Sequence, residues 1–201
     1  MLEAALASVE SNLAMLNQLD SATGDGDHGT AILAAMKAAA TGARKEGSLA
    51  DTLDAVGWDV MESTSGSTSA LTGSFFTGMS GAVGGENGEE LDADQTVALY
   101  EAGLANVRTA SKAKVGDKTL MDALIPAIEA MSAKKGTGAT LAEIFRAAAD
   151  AAKTGADSTV DLVAKHGRAK NLGERSRGHL DAGAVSTALI YAAYADAVAV
   201  Q

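Results

Sequence analysis

Alanine is the residue that most constrains how this chain folds, because it occupies 44 of the 201 positions. It has the highest intrinsic helix propensity and is depleted in β-strands. Aromatic residues make up only 3% of the chain, so the core must be filled by aliphatic side chains and by helix backbones that approach closely. The composition therefore predicts an all-α protein and nearly excludes a β-sandwich or β-barrel.

Apolar residues recur three or four positions apart through most of the chain, which is the spacing of amphipathic helices. About eight helices are predicted, and Pro126 should kink the one that contains it. The predicted segments are 2–19, about 30–45, 48–60, 70–83, 92 to about 112, one from about 119, one from 141 into the 150s, and 184–200. Residues 84–88 are predicted to be a turn-rich connection.

The loops between these segments are short, and no linker or low-complexity tail interrupts the pattern. A length of 201 residues suits one domain, so residues 1–201 are expected to form a single unit. A closed, mostly up-and-down helical bundle is the simplest packing of such helices.

The charge balance limits the partners of this chain. There are 16 basic and 26 acidic residues, which gives a net charge of −10 and a surface that repels nucleic acid and anionic lipid. With no cysteine, any metal must be held by oxygen or imidazole. No signal peptide opens the chain and no run approaches the ~18–20 apolar residues of a membrane span, so a cytoplasmic location without membrane contact is expected.

The first loop carries three carboxylates within eight residues, Asp20, Asp25 and Asp27. Glycines between them let the backbone curl, and converging carboxylates repel one another unless a cation such as Mg²⁺ is present. The alternative is that Asp25 or Asp27 only caps the following helix. The twelfth residue from Asp25 is Met36 rather than Glu, which argues against an EF-hand. The spacing alone predicts a candidate divalent-cation site.

Three further loops carry polar residues that could hold a phosphate. The first presents hydroxyls and free N–H groups at the start of an apolar helix, and the last presents two arginines that can neutralise phosphate oxygens. The residues of interest are Ser67 and Thr68, then Gly116 and Thr119, then Arg175, Arg177 and Asp181. Taken singly, these loops could be a solvated linker, an ordinary helix cap and a charged surface loop. Together with the aspartate loop they suit a Mg-nucleotide site that lacks a P-loop.

In order and spacing, these motifs resemble the nucleotide-binding L subunit of dihydroxyacetone kinase over nearly the whole chain. The matching segments are Asp20-x4-Gly24-Asp25-Gly26-Asp27-His28-Gly29-Thr30, Ser65-Gly66-Ser67-Thr68-Ser69-Ala70-Leu71, Gly116-Asp117-Lys118-Thr119-Leu120-Met121-Asp122, Gly167-Arg168-Ala169 with Leu172-Gly173-Glu174-Arg175-Ser176, and Asp181-Ala182-Gly183-Ala184-Val185-Ser186. A related fatty-acid-kinase domain shares the aspartate loop, but its Gly-Asn-Ser-Gly-type second loop is absent here.

The resemblance implies a closed up-and-down barrel of about eight antiparallel helices with a nucleotide pocket at one end. The pocket would hold ADP or ATP with one or two Mg²⁺ ions, and Asp20, Asp25 and Asp27 would be the metal ligands. The implied nucleotide-binding residues are His28, Thr30, Ser67, Thr68, Gly116, Thr119, Arg175 and Asp181. No catalytic residue is assigned, and His166 and His179 are expected to be structural or exposed.

The resemblance also implies an activity that depends on a partner. The family phosphorylates dihydroxyacetone or a related short ketose held covalently by a histidine of a separate K subunit, so this chain would be a phosphotransferase subunit active only with that partner. The phosphoryl donor would be ATP or a phosphohistidine protein of the phosphotransferase system, and a homodimer is left open. The alternatives are a Mg-nucleotide sensor without turnover and a structural bundle whose aspartates only cap helices.

The chain departs from the family's pattern at three places. Ala31 stands where Asn often follows His-Gly-Thr, and Ser65-Gly66-Ser67-Thr68-Ser69 replaces the usual Gly-Gly-Thr/Ala-Ser-Gly loop. Ala182 takes the place of Pro in Asp-Pro-Gly-Ala. These changes leave the three aspartates intact and the identity of the sugar and the donor open.

Overall fold

The computed structural model describes residues 1–84 and 91–200, and this part of the chain contains nine α-helices and no strand. The helices are α1 (Leu2–Ser11), α2 (Leu13–Ser21), α3 (His28–Gly42), α4 (Leu49–Ser63), α5 (Ser67–Ser80), α6 (Ala93–Ala110), α7 (Met121–Ser132), α8 (Leu141–Ser158) and α9 (Ala182–Ala199). Two 3₁₀ segments, Thr159–Asp161 and Arg168–Ser176, lie between α8 and α9. Residues 85–88 of the predicted turn-rich connection lie outside the described residues.

The helices form a closed ring. From α3 to α9 each helix packs against the next in sequence, and α9 returns to α1, which packs on α3. α2 also packs between α3 and α9, so α1 and α2 share one of eight places in the ring. Helices that pack side by side through short connections alternate in direction. The all-α, closed up-and-down barrel predicted from the sequence is confirmed.

Several helix boundaries differ from the prediction. The single helix expected at 2–19 is divided at Asn12, whose ψ of 8° departs from helical geometry. The Asn12 side-chain amide donates to the Ser8 carbonyl, 2.8 Å away, which competes with regular helix hydrogen bonding. α5 begins at Ser67 rather than at Ala70, and α9 begins two residues before the predicted start.

Glycines let neighbouring helices approach closely. A Cβ atom on Gly57 of α4 would lie 2.9 Å from the Gly73 carbonyl oxygen of α5, closer than real side chains come. On α8, a Cβ atom at Gly155 would collide with the carbonyl oxygen of Asp122 in α7. Pro126 lies inside α7 as predicted and has no N–H group, so it cannot bond the Asp122 carbonyl as a helical residue would. The kink at Pro126 stays a prediction.

α9 needs separate comment because it is long and apolar enough to span a membrane, contrary to the expectation that no segment approaches that length. Within the barrel it packs against α1, α7 and α8. Tyr191, Tyr194 and Ala195 of α9 are buried in the core, where the two tyrosine rings meet edge to face. We therefore interpret α9 as a core helix of the barrel.

Candidate functional site

One end of the barrel carries a polar cleft of about 300 Å³, at the lower limit of the usual size of ligand pockets. Four helices begin at this cleft, and their first residues, His28 of α3, Ser67 of α5, Met121 of α7 and Ala182 of α9, line it. The first N–H groups of a helix have no partner within the helix and carry partial positive charge. The cleft is therefore suited to an anion such as a phosphate group.

The three aspartates of the first loop come together at the cleft. Asp20, Asp25 and Asp27 each place one carboxylate oxygen within 4.8 Å of the other two, and all three line the cleft. Three like charges at this separation repel one another unless a cation lies between them. Clustered carboxylate oxygens are the ligands that Mg²⁺ and Ca²⁺ take in proteins.

Asp20 also determines the shape of the loop. Its Oδ2 atom accepts hydrogen bonds from the backbone amides of Gly26, Asp27 and His28, at 2.9, 3.0 and 3.3 Å. Asp27 occupies the N-cap position of α3, but its side chain makes no capping hydrogen bond. The alternative that Asp27 serves as a cap is therefore wrong. The Thr30 amide, which a cap at Asp27 could bond, donates instead to Oδ1 of Asn17 at 3.1 Å.

An arginine that was not predicted as a site residue lies at the same cluster. Arg168 lines the cleft, and its Nη2 atom is 2.8 Å from Oδ2 of Asp25. The Arg168 side chain is 70% exposed, so it can change partner at little cost. Arg175, which was assigned instead, is exposed and does not line the cleft. The signal in the sequence that could have identified Arg168 is the glycine before it. Gly167 has a φ of 63°, and Arg168 is the first residue of the 3₁₀ segment that follows.

His28 connects two helices at the cleft. Its Nε2 atom lies 2.9 Å from Ser186 Oγ on α9, and its Nδ1 atom lies 3.4 Å from Thr68 Oγ1 on α5. Burial lowers the pKa of His28 below its usual 6.5, although nearby Asp20 and Asp27 oppose that change. The ring is therefore neutral at pH 7, with one nitrogen able to donate and the other able to accept.

The serine- and threonine-rich loop begins α5 at the cleft. Gly66, at φ 119°, is the N-cap, and the Ser69 hydroxyl donates to the Thr64 carbonyl 2.6 Å away and holds the loop. Ser67 and Thr68 line the cleft as expected. Thr30, also assigned to the nucleotide site, does not line it. Thr30 instead exchanges hydrogen bonds with the side chain of Asn17, which joins α3 to α2.

The loop before α7 is shaped by Asp122, a buried carboxylate. Its two oxygens accept hydrogen bonds from the backbone amides of Gly116 and Thr119, at 2.6 and 2.7 Å. This arrangement brings Thr119 to the cleft, whereas Gly116 does not line it. In the sequence, Asp122 is recognisable only as part of the Gly116–Asp122 motif.

Asp181 lines the cleft at the start of α9. It is the N-cap of that helix, and its carboxylate accepts a hydrogen bond from the Ala184 amide at 2.8 Å. Burial raises the pKa of Asp181 from 3.8 to about 6, with a smaller contribution from the charge of Asp122. Of the two histidines expected to be structural or exposed, both are exposed, and His166 also lines the cleft.

Comparison with known proteins identifies the family. The DAK2 domain model matches residues 22–196. The ADP-binding subunit of PEP-dependent dihydroxyacetone kinase 2 from Listeria innocua is 36% identical over 192 residues, which cover 90% of this chain and 84% of the relative. L-erythrulose kinase from Pectobacterium atrosepticum is 37% identical over 195 residues, covering 94% of this chain but only 32% of that enzyme.

A solved structure shares the architecture of the barrel. The crystal structure of the dihydroxyacetone kinase from C. freundii in complex with AMP-PNP and Mg²⁺ superposes with a TM-score of 0.73 at 28% identity. The match covers 98% of this chain and 33% of the C. freundii chain. The chain therefore belongs to the DAK2 domain family, together with the ADP-binding subunits of dihydroxyacetone kinases.

Proposed function

We propose that this chain is the nucleotide-binding subunit of a dihydroxyacetone-type kinase, with residues 1–201 forming one Mg-ADP- or Mg-ATP-binding domain. The observation that carries the proposal is that three converging carboxylates and four helix N-termini face the same cleft. Such a cleft offers acidic ligands to a cation. The start of α5, whose N-cap Gly66 provides no side-chain cap, offers N–H donors to phosphates. A structural bundle whose aspartates only cap helices would need no such arrangement.

The donor set fits Mg²⁺. Asp20, Asp25 and Asp27 offer hard oxygen ligands, and no capping bond from Asp27 competes for its carboxylate. When bound, Mg²⁺ would offset the negative charge of the nucleotide's phosphates and of the transferring phosphoryl group. The backbone bonds to Asp20 hold the loop in shape, so little ordering of the chain is required when the ligand arrives.

The phosphates would meet the start of α5 and the arginine of the 3₁₀ segment. The backbone amides at the start of α5 and the hydroxyls of Ser67 and Thr68 would orient phosphate oxygens. Arg168 now pairs with Asp25, and it would transfer to a phosphate once a cation neutralises that carboxylate. Thr119, which also lines the cleft, would supply a further hydroxyl.

His28 has a positioning role in this proposal. Because its ring is neutral and lies between Ser186 and Thr68, it can fix the direction of the Thr68 hydroxyl. The chain binds and orients the nucleotide and excludes water, and these contributions are the main ones in phosphoryl transfer. None of its residues needs to form a covalent intermediate.

The acceptor and the partner follow from the relatives. Relatives of this chain phosphorylate dihydroxyacetone or erythrulose according to their names, and in the Listeria innocua protein the matching part is a separate subunit. We propose that a short ketose bound on a K subunit is the substrate and that the complex is cytoplasmic. We propose ATP or a phosphohistidine protein as the phosphoryl donor; the Listeria innocua relative is PEP-dependent by its name.

The experiment is a phosphorylation assay of the purified chain, alone and with a dihydroxyacetone kinase K subunit. Dihydroxyacetone and erythrulose serve as acceptors, with Mg-ATP or a phosphohistidine protein as donor. We expect product only when both subunits are present. Sugar phosphorylation by the isolated chain would contradict the need for a partner. Inactivity of a verified complex with both donors, together with Mg-dependent ADP binding, would instead favour a nucleotide sensor.

A further inference from the structure

The segment from 162 to 180, here called the strap, forms one wall of the cleft. It joins the 3₁₀ segment Thr159–Asp161 to α9, and it brings His166, Gly167, Arg168 and Ala169 to the cleft. Most of its residues are exposed or half-buried, so burial of apolar surface contributes little to its position. The strap is therefore held in place mainly by polar contacts.

Lys118 ties together the two ends of the strap. Its ammonium group donates hydrogen bonds to the carbonyl oxygens of Thr159, three residues before the strap, and of His179, the second-last residue of the strap. The residue is buried, with 2% of its surface exposed. A buried ammonium is costly unless its protons are bonded, so these carbonyls and the lysine depend on one another.

The backbone of Lys118 supports the same conclusion. Its φ is 60°, and among the described residues it is the one non-glycine residue with positive φ. Residues other than glycine rarely adopt this backbone conformation, because their Cβ atom then crowds the backbone. A residue that persists in such a conformation is held there by its surroundings, and this often occurs at functional sites.

Asp117 forms hydrogen bonds with the strap near its start. Its Oδ1 atom is 2.8 Å from Lys165 Nζ and its Oδ2 atom is 3.3 Å from His166 Nε2. Its carbonyl accepts the Lys165 amide at 3.1 Å. The Lys165 ammonium, which also bonds the Gly116 carbonyl at 3.0 Å, lowers the pKa of Asp117 to about 2. The bonded residues immediately precede Gly167 and Arg168.

We propose that Asp117 and Lys118 are positioning residues that fix the strap and thereby hold Arg168 over the carboxylate cluster. Lys118 also lines the cleft, but its ammonium is bonded to the two carbonyls of Thr159 and His179. The Asp117 carboxylate is bonded to Lys165 and His166, so we assign both residues a role through the strap. The effect on nucleotide affinity rests on the function proposed above. The effect on the strap itself does not, so the two can be tested separately.

The test combines hydrogen exchange of the ligand-free protein with Mg-ADP affinity by calorimetry. Lys118→Met removes the ammonium and keeps the chain length, and Lys118→Gly removes it while also relieving the positive φ. Lys165→Met acts at an exposed position and cannot be expected to unfold the barrel. Lys37→Met on α3, another exposed lysine, is the matched control for loss of one charge.

We expect both Lys118 variants to raise exchange of the strap amides about tenfold or more while the barrel helices stay protected. Lys165→Met should raise exchange around residue 165, and Lys37→Met should change neither measurement. Mg-ADP affinity should fall about 10- to 100-fold in the Lys118 variants, the range seen when residues that support a metal site are lost.

Unchanged strap exchange in Lys118→Met and Lys165→Met would overturn the proposal. So would wild-type behaviour of Lys118→Gly, because it would show that only the backbone conformation matters. Uniformly faster exchange throughout the barrel in Lys118→Met, with no change in Lys165→Met, would also overturn it, since the role would then be general stability. If the wild-type protein fails to bind Mg-ADP, the proposed function fails, and strap exchange still decides the positioning role.

Discussion

Replacing Gly155 with alanine sets two known effects against each other. Alanine in a helix interior is favoured over glycine by about 1 kcal/mol, so helix propensity alone predicts stabilisation. At this position the added methyl would collide with the Asp122 carbonyl oxygen, and it would also lie 2.9 Å from the Asp122 carbonyl carbon and 3.2 Å from the Ala123 Cα. These are backbone atoms, so α7 and α8 must move apart to accommodate it.

The size of the effect follows from this geometry. Overpacking of a well-packed interior costs about 1–3 kcal/mol, and occasionally more, when no flexible side chain can yield. We place Gly155→Ala at the upper end of that range, so that after the propensity gain the free energy of unfolding falls by about 2 kcal/mol. For a chain of this length the melting temperature should fall by about 4–8 °C. Mg-ADP affinity should fall as well, because Asp122 holds the amides of the Thr119 loop.

The assay is urea denaturation followed by circular dichroism, with Gly81→Ala as the matched control. Gly81 ends α5 with φ −63°, and a Cβ there would meet nothing closer than 3.7 Å. Its replacement by alanine should leave stability unchanged or raise it by about 0.4–1 kcal/mol. If Gly155→Ala is as stable as Gly81→Ala, the close contact between α7 and α8 does not exist as described and the reasoning is refuted.

Two further substitutions test the charges of the cleft. Asp27→Asn should leave ligand-free stability within about 1 kcal/mol of wild type, because relief of carboxylate repulsion and loss of a charge at the start of α3 nearly cancel. In wild type, Mg-ADP at ~100 times its Kd should raise the free energy of unfolding by about 2.7 kcal/mol, and Asp27→Asn should abolish this increase. If Mg-ADP raises the melting temperature of the variant as much as that of wild type, the proposed cation site is wrong. Asp181→Asn keeps the N-cap and removes the carboxyl whose pKa is about 6 in the folded protein. That carboxyl lowers the free energy of unfolding of the wild type as pH rises from about 4 to 6, because it must ionise at a buried position. Over the same pH range, the free energy of unfolding of the variant should therefore rise relative to wild type by at most about 3 kcal/mol. A difference in urea midpoints that does not change with pH would contradict this prediction.

The sequence predicted the fold because its strongest signals are local. Alanine content and apolar spacing specify helices one segment at a time, and short loops leave a closed ring as the simple solution. The break at Asn12 was missed because it depends on a side chain that bonds its own backbone, which apolar spacing does not report. The early start of α5 was missed because its first turn is polar where it faces the cleft.

The site residues were predicted unevenly, for a physical reason. Asp25 and Asp27 lie close in sequence, so their convergence follows from a short loop. Arg168 was passed over in favour of Arg175 because the path of the strap is determined by contacts with residues near 117, about fifty positions away along the chain. Periodicity within the strap carries no information about such contacts. The binding roles of the assigned residues stay predictions.

The central claim is that a cation held by the aspartate cluster carries the nucleotide. It is tested most directly by calorimetric titration of ADP into the purified chain, once in excess Mg²⁺ and once in EDTA. We expect binding in Mg²⁺ and an affinity at least about tenfold lower in EDTA, equivalent to about 1.4 kcal/mol. Equal affinities in Mg²⁺ and in EDTA would contradict the account, because the three carboxylates would then have no part in holding the nucleotide.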